Sequence, residues 1–378
     1  MSRRALTPIR KPRALHLCLV ALALLTGCAA LGKETPFSEP VSTSGVGPFR
    51  RLTDEETRFR GRAIELGNVA VDRASFAGGS LFYGAAPALD PLPVRNPALP
   101  VNELDPAQLE AFRIFRSSTE TEFGFDPGTV LLTASEAWEG GYVTQPFALE
   151  LADGSVRLYY AAAGGIGVAV AQSADGTFTR NGDGLALANN MGVQAAGLRS
   201  PAVAQLDGTY YLYADDGVDV WVATSVDGLS FTLLDTDDAA AGVNPLAIPG
   251  PADEDDPMER AHVSPAATVA TSPTGRTTLR LYVEAQQVPE DPATDDDRII
   301  LALASLDGVS FERARLPAHE AGDSPGQPTL RPYQDGVSES LMYMTVARGM
   351  NPQLRAVVLA VDPGRASFAP EAEMEAMP

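Results

Sequence analysis

The sequence predicts an all-β protein, a five-bladed β-propeller built from four-stranded antiparallel blades, and three observations carry that prediction. First, short runs rich in Val, Tyr and Trp alternate with tight-turn signals. The clearest stretch is Leu198 to Leu234, where Asp207-Gly208, Asp215-Asp216-Gly217 and Asp227-Gly228 separate four such runs. Glycine reaches the positive φ angles of hairpin turns without a Cβ clash, and the runs have the length and composition of strands. Second, the first turn of this unit recurs as Gly78-Gly79, Asp153-Gly154, Thr274-Gly275 and Asp335-Gly336. Each copy precedes a strand with a tyrosine: Tyr83, Tyr160, Tyr213, Tyr282 and Tyr343. Third, the hairpin Ser225 to Phe231 (SVDGLSF) reappears as Ser305 to Phe311 (SLDGVSF), with looser copies at Ser173 to Phe178 and Asp362 to Phe368 and a remnant at Ser117 to Phe123. The glycines that close the five first turns lie 54 to 75 residues apart. That spacing is a propeller period with insertions.

The unit from Leu198 divides into strands 200–206, 209–214, 218–225 and 230–234. By the same pattern the other blades cover about 67–131, 138–187, 260–316 and 323–368. The inner strands that line the channel then fall at 69–75, 143–149, 199–205, 263–269 and 325–331. The phenylalanine of each outer hairpin is expected to lie buried between neighbouring blades. Residues 49–66 fit either a short helix or a strand that closes the ring on the last blade.

The first 27 residues read as a signal peptide, with Arg3, Arg4, Arg10, Lys11 and Arg13 ahead of an apolar run from Leu15 to Leu25. The run is too short for a comfortable spanning helix. It ends in Leu25-Thr26-Gly27-Cys28, which resembles the lipobox of bacterial lipoproteins. The resemblance implies cleavage before Cys28, acylation of that cysteine with fatty-acid chains such as palmitate, and attachment to the cell envelope. Ala29 after the cysteine implies the outer membrane. Residues 28–48 read as a flexible tether and 49–378 as a single propeller domain.

Removing residues 1–27 takes the formal net charge from −21 to −26. So acidic a chain is a poor partner for nucleic acid, which needs concentrated Lys and Arg. With Cys18 lost and Cys28 acylated no disulfide is expected, and stability must come from the core. The runs Asp253 to Asp256 and Asp295 to Asp297 offer oxygen ligands of the kind Ca²⁺ takes. They lack a fixed ligand spacing, so solvated loops are expected and no cofactor is assigned.

Four of the inner strands carry a proline, at Pro146, Pro201, Pro265 and Pro328, with Asp72-Arg73 in the equivalent place of the first blade. The Pro-marked inner strand, the Asp-Gly turn, the Tyr-rich strand and the A-x-S-x-D-G-x-x-F hairpin together resemble the five-bladed glycoside hydrolases of the arabinanase, β-xylosidase, levansucrase and invertase superfamily. The resemblance covers roughly residues 67–370 and is best at 199–231 and 302–311. It implies an inner-strand Asp as base or nucleophile and a Glu as acid, two carboxyls whose surroundings push their pKa values apart.

Asp72 matches the base position, and Glu139 is the best placed of the remaining acids, ahead of Glu284 and Asp323. The corresponding positions of the other blades hold Gln145, Ser200, Ser264 and Gln327, none of which exchanges a proton near neutral pH. Gln145, Arg199, His262 and Gln327 form a polar lining suited to sugar hydroxyls, with Trp138 and Tyr142 as platforms for a sugar face. His262 and His319 lack the close spacing of a metal site, and none is expected. The function expected is carbohydrate binding at the channel mouth without efficient turnover, by a lipoprotein that meets the membrane only through its anchor. An active glycoside hydrolase using Asp72 is the alternative, and a protein-interaction platform the second.

Overall fold

The computed structural model describes residues 50–51, 69–87, 112–121, 124–125, 128–190, 197–234, 243–251, 258–271, 277–287, 298–314, 319–320, 325–332, 339–345 and 357–360. All belong to one compact unit, Val41–Pro378. Strand β1 (Arg50–Arg51) comes first. Blade 1 holds β2 (Val69–Ala77), β3 (Ser80–Pro87), β4 (Arg113–Thr121), β5 (Gly124–Phe125) and β6 (Thr129–Leu132). Blade 2 holds β7 (Thr144–Glu150), β8 (Val156–Ala162), β9 (Gly165–Ala171) and β10 (Thr179–Ala188). Blade 3 holds β11 (Arg199–Leu206), β12 (Thr209–Asp215), β13 (Val220–Ser225) and β14 (Thr232–Leu233). Blade 4 holds β15 (Glu259–Thr271), β16 (Thr277–Gln287), β17 (Arg298–Ser305), β18 (Glu312–Arg313) and β19 (His319–Glu320). A closing sheet holds β20 (Pro325–Pro332), β21 (Glu339–Thr345) and β22 (Val357–Ala360).

Each sheet is an antiparallel meander in chain order, and β1 pairs with β22 at the outer edge of the closing sheet. The ambiguous segment before the first blade therefore contributes a strand at Arg50–Arg51, with Arg50 opposite Ala360. The first strands of the five sheets touch in cyclic order, β2 on β7, β7 on β11, β11 on β15, β15 on β20 and β20 on β2. This is an all-β propeller.

A blade packed between two others buries both its faces, so its strands read as continuous apolar runs rather than alternating ones. Every residue of β17 (RIILALAS) is buried, and so are the four residues Leu212 to Asp215 that end β12. The joints between blades come from the repeated hairpin. In blade 3 the Ser225 hydroxyl donates to Asp227 Oδ1 (2.9 Å) and accepts from the Gly228 N–H (2.8 Å), while Leu229 N–H donates to the same carboxylate oxygen (2.8 Å). In blade 4 Ser305, Asp307, Gly308 and Val309 repeat this at 2.9, 2.8 and 2.9 Å. The turn holds out the glycine carbonyl, and a tyrosine of the preceding blade donates to it: Tyr159 to Gly228 (2.8 Å) and Tyr213 to Gly308 (2.6 Å). The hairpin phenylalanine meets the same tyrosine edge-on, Phe231 against Tyr159 and Phe311 against Tyr213. Phe178, Phe231 and Phe311 are all buried, as expected of wedges between blades.

All five repeating tyrosines lie in the second strand of their sheet, at two different register positions. Tyr83, Tyr213 and Tyr282 sit opposite Ala74, Ala202 and Ala266 just past a bulge in the inner strand. In blade 2 that place belongs to Tyr159, opposite Phe147, and in the closing sheet to Met342, opposite Thr329. Tyr160 and Tyr343 are the next residues along β8 and β21.

Candidate functional site

All five inner strands are irregular at one place. The pairing slips between Val71 and Ala74, Thr144 and Phe147, Arg199 and Ala202, Val263 and Ala266, and Gly326 and Thr329. The residues skipped are Asp72-Arg73, Gln145-Pro146, Ser200-Pro201, Ser264-Pro265 and Gln327-Pro328. Proline cannot donate to the ladder, so a bulge is where a strand tolerates it. Bulges bend the strand and re-aim a side chain, and they collect beside functional sites. Gln145, Ser200 and Ser264 have φ of 50°, 50° and 53°. A left-handed backbone is uncommon for residues other than glycine, and proline further restricts the residue before it. Such conformations persist only where surrounding contacts enforce them.

Those contacts run from blade to blade. The Ser200 N–H donates to Gln145 Oε1 (3.0 Å), tying blade 3 to blade 2. The Ser264 N–H donates to Asp215 Oδ2 (2.9 Å), tying blade 4 to blade 3. Asp215 is buried, and its Oδ1 accepts from Arg199 Nε (2.8 Å) and the Gly217 N–H (3.1 Å). The Ala148 N–H donates to Ser75 Oγ (2.9 Å), joining blades 2 and 1. Arg73, fully buried, crosses from blade 1 to donate from Nη2 to the Pro265 carbonyl of blade 4, its guanidinium 5.9 Å from the Phe147 ring of blade 2. The bulges of blades 1 to 4 are thus tied by cross-blade hydrogen bonds between residues up to 192 positions apart.

Asp72 sits in the bulge of β2, at the place Gln145, Ser200 and Ser264 hold in their strands, and its side chain lies outside the described residues. The same is true of the Gln327 side chain in β20. Residues 1–48, with Cys28, and the acidic runs at 253–256 and 295–297 also lie outside. Among the described residues no group of three or more His, Cys, Asp or Glu is arranged to hold a metal ion.

Glu139, the expected acid, lies in a hydrogen-bonded node of blade 2. It closes the 3₁₀ turn Ala137–Glu139 and is fully buried. Its Oε2 accepts from the N–H groups of Ser135 (2.7 Å) and Glu136 (3.0 Å) and from Arg180 Nη2 (3.0 Å), and its Oε1 from Arg180 Nε (2.7 Å) and the Tyr160 hydroxyl (2.9 Å). Burial opposes its charge, but Arg180, the two backbone donors and Tyr160 together hold the carboxyl below its ordinary range. A general acid must keep its proton near neutral pH, whereas these partners favour the ionised form. Trp138 is likewise engaged: its indole N–H donates to the Asp183 carbonyl (2.8 Å) and its ring lies stacked 6.1 Å from Tyr160. Tyr142 is half-buried two residues before β7, and burial pushes its phenol up.

Two expected lining residues meet their partners at the junction of blades 3 and 4. Arg199 pairs with Asp215 across β11 and β12. His262 Nε2 lies 2.9 Å from Glu259 Oε2, and Glu259 accepts from both Nη atoms of Arg313 (2.8 and 2.7 Å). Burial works against the Glu259 charge, but His262 and Arg313 outweigh it and hold the carboxyl low. Glu284 occupies on blade 4 the place of Asp215 on blade 3, two residues past the bulge-facing tyrosine, and pairs with Arg298 (3.2 Å). The sequence pattern did not single out Asp215 as the partner of Arg199, nor Glu259 and Arg313, which meet across 54 residues. A signal for Asp215 and Glu284 was present: both stand two residues after a repeating tyrosine.

No protein-family model and no curated protein matches the sequence. Solved structures do match. A glycosyl hydrolase from Bacteroides ovatus aligns with a TM-score of 0.57 at 13% identity, over 88% of this chain and 98% of that one. A structure from work on the GH130 family of mannoside phosphorylases, which contains glycoside hydrolases that target β-1,2-mannosidic linkages in Candida mannan, aligns with a TM-score of 0.56 at 13% identity, over 87% of this chain and 97% of that one. A putative glycosidase from Bacteroides thetaiotaomicron aligns at 0.50 and 14% identity, over 87% and 95%. The likeness is one of fold. It places this chain among propellers shaped like those of glycoside hydrolases.

Proposed function

We propose that this chain is a cell-envelope lipoprotein, anchored through Cys28 in the outer membrane, whose propeller binds carbohydrate at the channel mouth without efficient turnover. The closing sheet is its fifth blade, with β1 completing the ring. One observation carries the reading. Three successive inner strands bring uncharged polar residues, Gln145, Ser200 and Ser264, to the same strained bulge, whereas four carboxylates of the described residues, Glu139, Asp215, Glu259 and Glu284, each have an arginine partner. A neutral ring of hydrogen-bonding groups held rigid beforehand suits sugar hydroxyls, since binding then orders little that was mobile. Hydrolysis asks for something else, a carboxyl that retains its proton facing one that does not.

Asp72, alone in its bulge, supports the second reading, a hydrolase with Asp72 as base or nucleophile. The two are separated by incubating purified residues 29–378 with plant and microbial polysaccharides and measuring both retention and released sugar. Retention without release is expected. Release that disappears in Asp72→Asn would establish the hydrolase. Neither retention nor release would leave the protein-interaction platform. The anchor is checked separately: Cys28→Ser is expected to abolish fatty-acid labelling and membrane fractionation, and labelling that persists would overturn the lipobox.

A further inference from the structure

Strand β10 leaves its ladder for four residues. Its pairing with β9 runs from Arg180 opposite Ala169 to Leu185 opposite Gly167, so Asn181, Gly182, Asp183 and Gly184 stand out of register. Asn181, Gly182 and Asp183 are exposed, and both glycines have a left-handed backbone, with φ of 64° and 84°. Asn181-Gly182 is the one Asn-Gly pair of the sequence. Its surroundings set this asparagine apart from two others. Asn189 is held at both ends of its amide, donating to the Ala163 carbonyl (2.9 Å) and accepting from the Leu198 N–H (2.8 Å). Asn244 bonds Val222 through both amide atoms and is followed by Pro245, which has no N–H. Among the described residues nothing hydrogen-bonds the Asn181 amide. A side-chain carbon placed on Gly182 would meet nothing within 4 Å.

We propose that Asn181 is a site of spontaneous deamidation, and that its conversion loosens the node that holds Trp138. The Gly182 nitrogen attacks Cγ of Asn181. The new C–N bond closes a succinimide, and the side-chain nitrogen leaves as ammonia with the proton from Gly182. Water then opens the ring at either carbonyl, giving aspartate or isoaspartate with no change of oxidation state. Glycine leaves the attacking nitrogen unshielded because it carries no Cβ. A regular ladder would hold this peptide against its partner strand, whereas the bulge frees it to turn. What flanks the pair sets the consequence. On one side Arg180 donates to Glu139 and to the Thr133 carbonyl. On the other, the Asp183 carbonyl accepts from the Trp138 indole N–H (2.8 Å), and its Oδ1 accepts from the Leu185 N–H (3.1 Å). Deamidation puts a new carboxylate beside Arg180, where it competes with Glu139 for the guanidinium. The isoaspartyl product also lengthens the main chain by one carbon between these two anchors, which shifts the carbonyl that Trp138 holds.

The test ages the purified full-length chain for weeks at physiological temperature. Peptide mass spectrometry reads each asparagine, and an isoaspartyl-specific methyltransferase marks the rearranged product. Conversion at Asn181 severalfold faster than at Asn189 and Asn244, with isoaspartate among the products, is expected. Asn181→Gln keeps an amide but would have to close a larger ring, and is expected to stay intact. Gly182→Ala is expected to slow conversion severalfold. Hydrogen exchange of the indole N–H groups reads the node. In the aged wild type, protection of Trp138 is expected to fall severalfold while that of Trp221, buried in blade 3, is unchanged. In Asn181→Gln aged alongside, both are expected to hold. Asn181 converting no faster than Asn189, or to aspartate alone, would overturn the site. Conversion that leaves the Trp138 indole as protected as before would overturn its coupling to the node. Neither readout requires a glycan to bind.

Discussion

The junctions between blades 2 and 3 and between blades 3 and 4 are near copies, and the junction between blades 1 and 2 is not. In the first two a tyrosine donates to the hairpin glycine carbonyl and meets the hairpin phenylalanine at 6.0 and 5.9 Å, with the same 77° between the rings. In the third the aromatic contact is Phe82 with Phe178 at 5.5 Å, and Arg116 Nη1 reaches the carbonyls of Ala174 (3.2 Å) and Gly176 (2.8 Å) instead of a tyrosine. The hairpins explain the difference. SVDGLSF and SLDGVSF have two residues between glycine and phenylalanine, whereas SADGTF has one. Shortening the turn moves the phenylalanine relative to the glycine carbonyl, and the junction is rebuilt around a longer donor. Arginine spans the gap that tyrosine bridges elsewhere, so the wedge is kept while its fastening changes.

The largest effect expected is loss of the wedge. Phe231→Ala and Phe311→Ala each empty a buried ring site and are expected to lower stability by about 3–5 kcal/mol, equally within the spread of such cavities. Chemical denaturation measures both, and a difference of several kcal/mol between them would break the equivalence of the two junctions. Next is the fastening of the odd junction. Arg116→Met keeps the stem and removes the hydrogen bonds of a charged donor, and is expected to cost about 1.5–3 kcal/mol. A neutral result would mean that Phe178 alone secures blades 1 and 2. Smaller still, Tyr159→Phe and Tyr213→Phe each remove one hydroxyl bond and are expected to cost about 1 kcal/mol, measured in the same way.

The sequence made the repeated half of this comparison legible, because the Ser, Asp, Gly and Phe of each hairpin carry their geometry locally: two side chains fold the turn upon itself. The inner strands were legible for the same reason, through their prolines. Tyr160 and Tyr343 do lie in the second strands of their sheets, but adjacent residues, Tyr159 and Met342, hold the position equivalent to Tyr83, Tyr213 and Tyr282, and tyrosine content alone does not fix register. The site was less legible than the fold. Glu139 looked well placed by its distance from Gln145, but its neutralising partner Arg180 lies 41 residues on, in the last strand of blade 2. Asp215 and Ser264, 49 residues apart, meet only once the ring is assembled.

The smallest effect concerns acid. Backbone N–H donors, that of Leu229 foremost, hold Asp227 below the ordinary aspartate range. In Asp307 burial works the other way, but the N–H groups of Ser310 and Val309 outweigh it. Groups held low by folding contribute stability above their unfolded pKa and lose it as the pH falls through the folded value. Denaturation midpoints are therefore expected to decline below about pH 4, with a shallower decline in Asp307→Asn. An unchanged acid limb in that variant would separate the hairpin carboxylate from the stability of the junction.

The junctions hold the blades, whereas the bulges are strained in the same way on three of them, and it is there that ligand contact is proposed. Amide chemical-shift mapping of the labelled propeller with a retained glycan tests that assignment directly. Perturbations centred on Gln145, Arg199, Ser200 and Ser264, with the Trp138–Glu139 node and the hairpins at Asp227 and Asp307 silent, are the predicted result. Perturbations centred on the node or on the hairpin edges, with the ring silent, would contradict it.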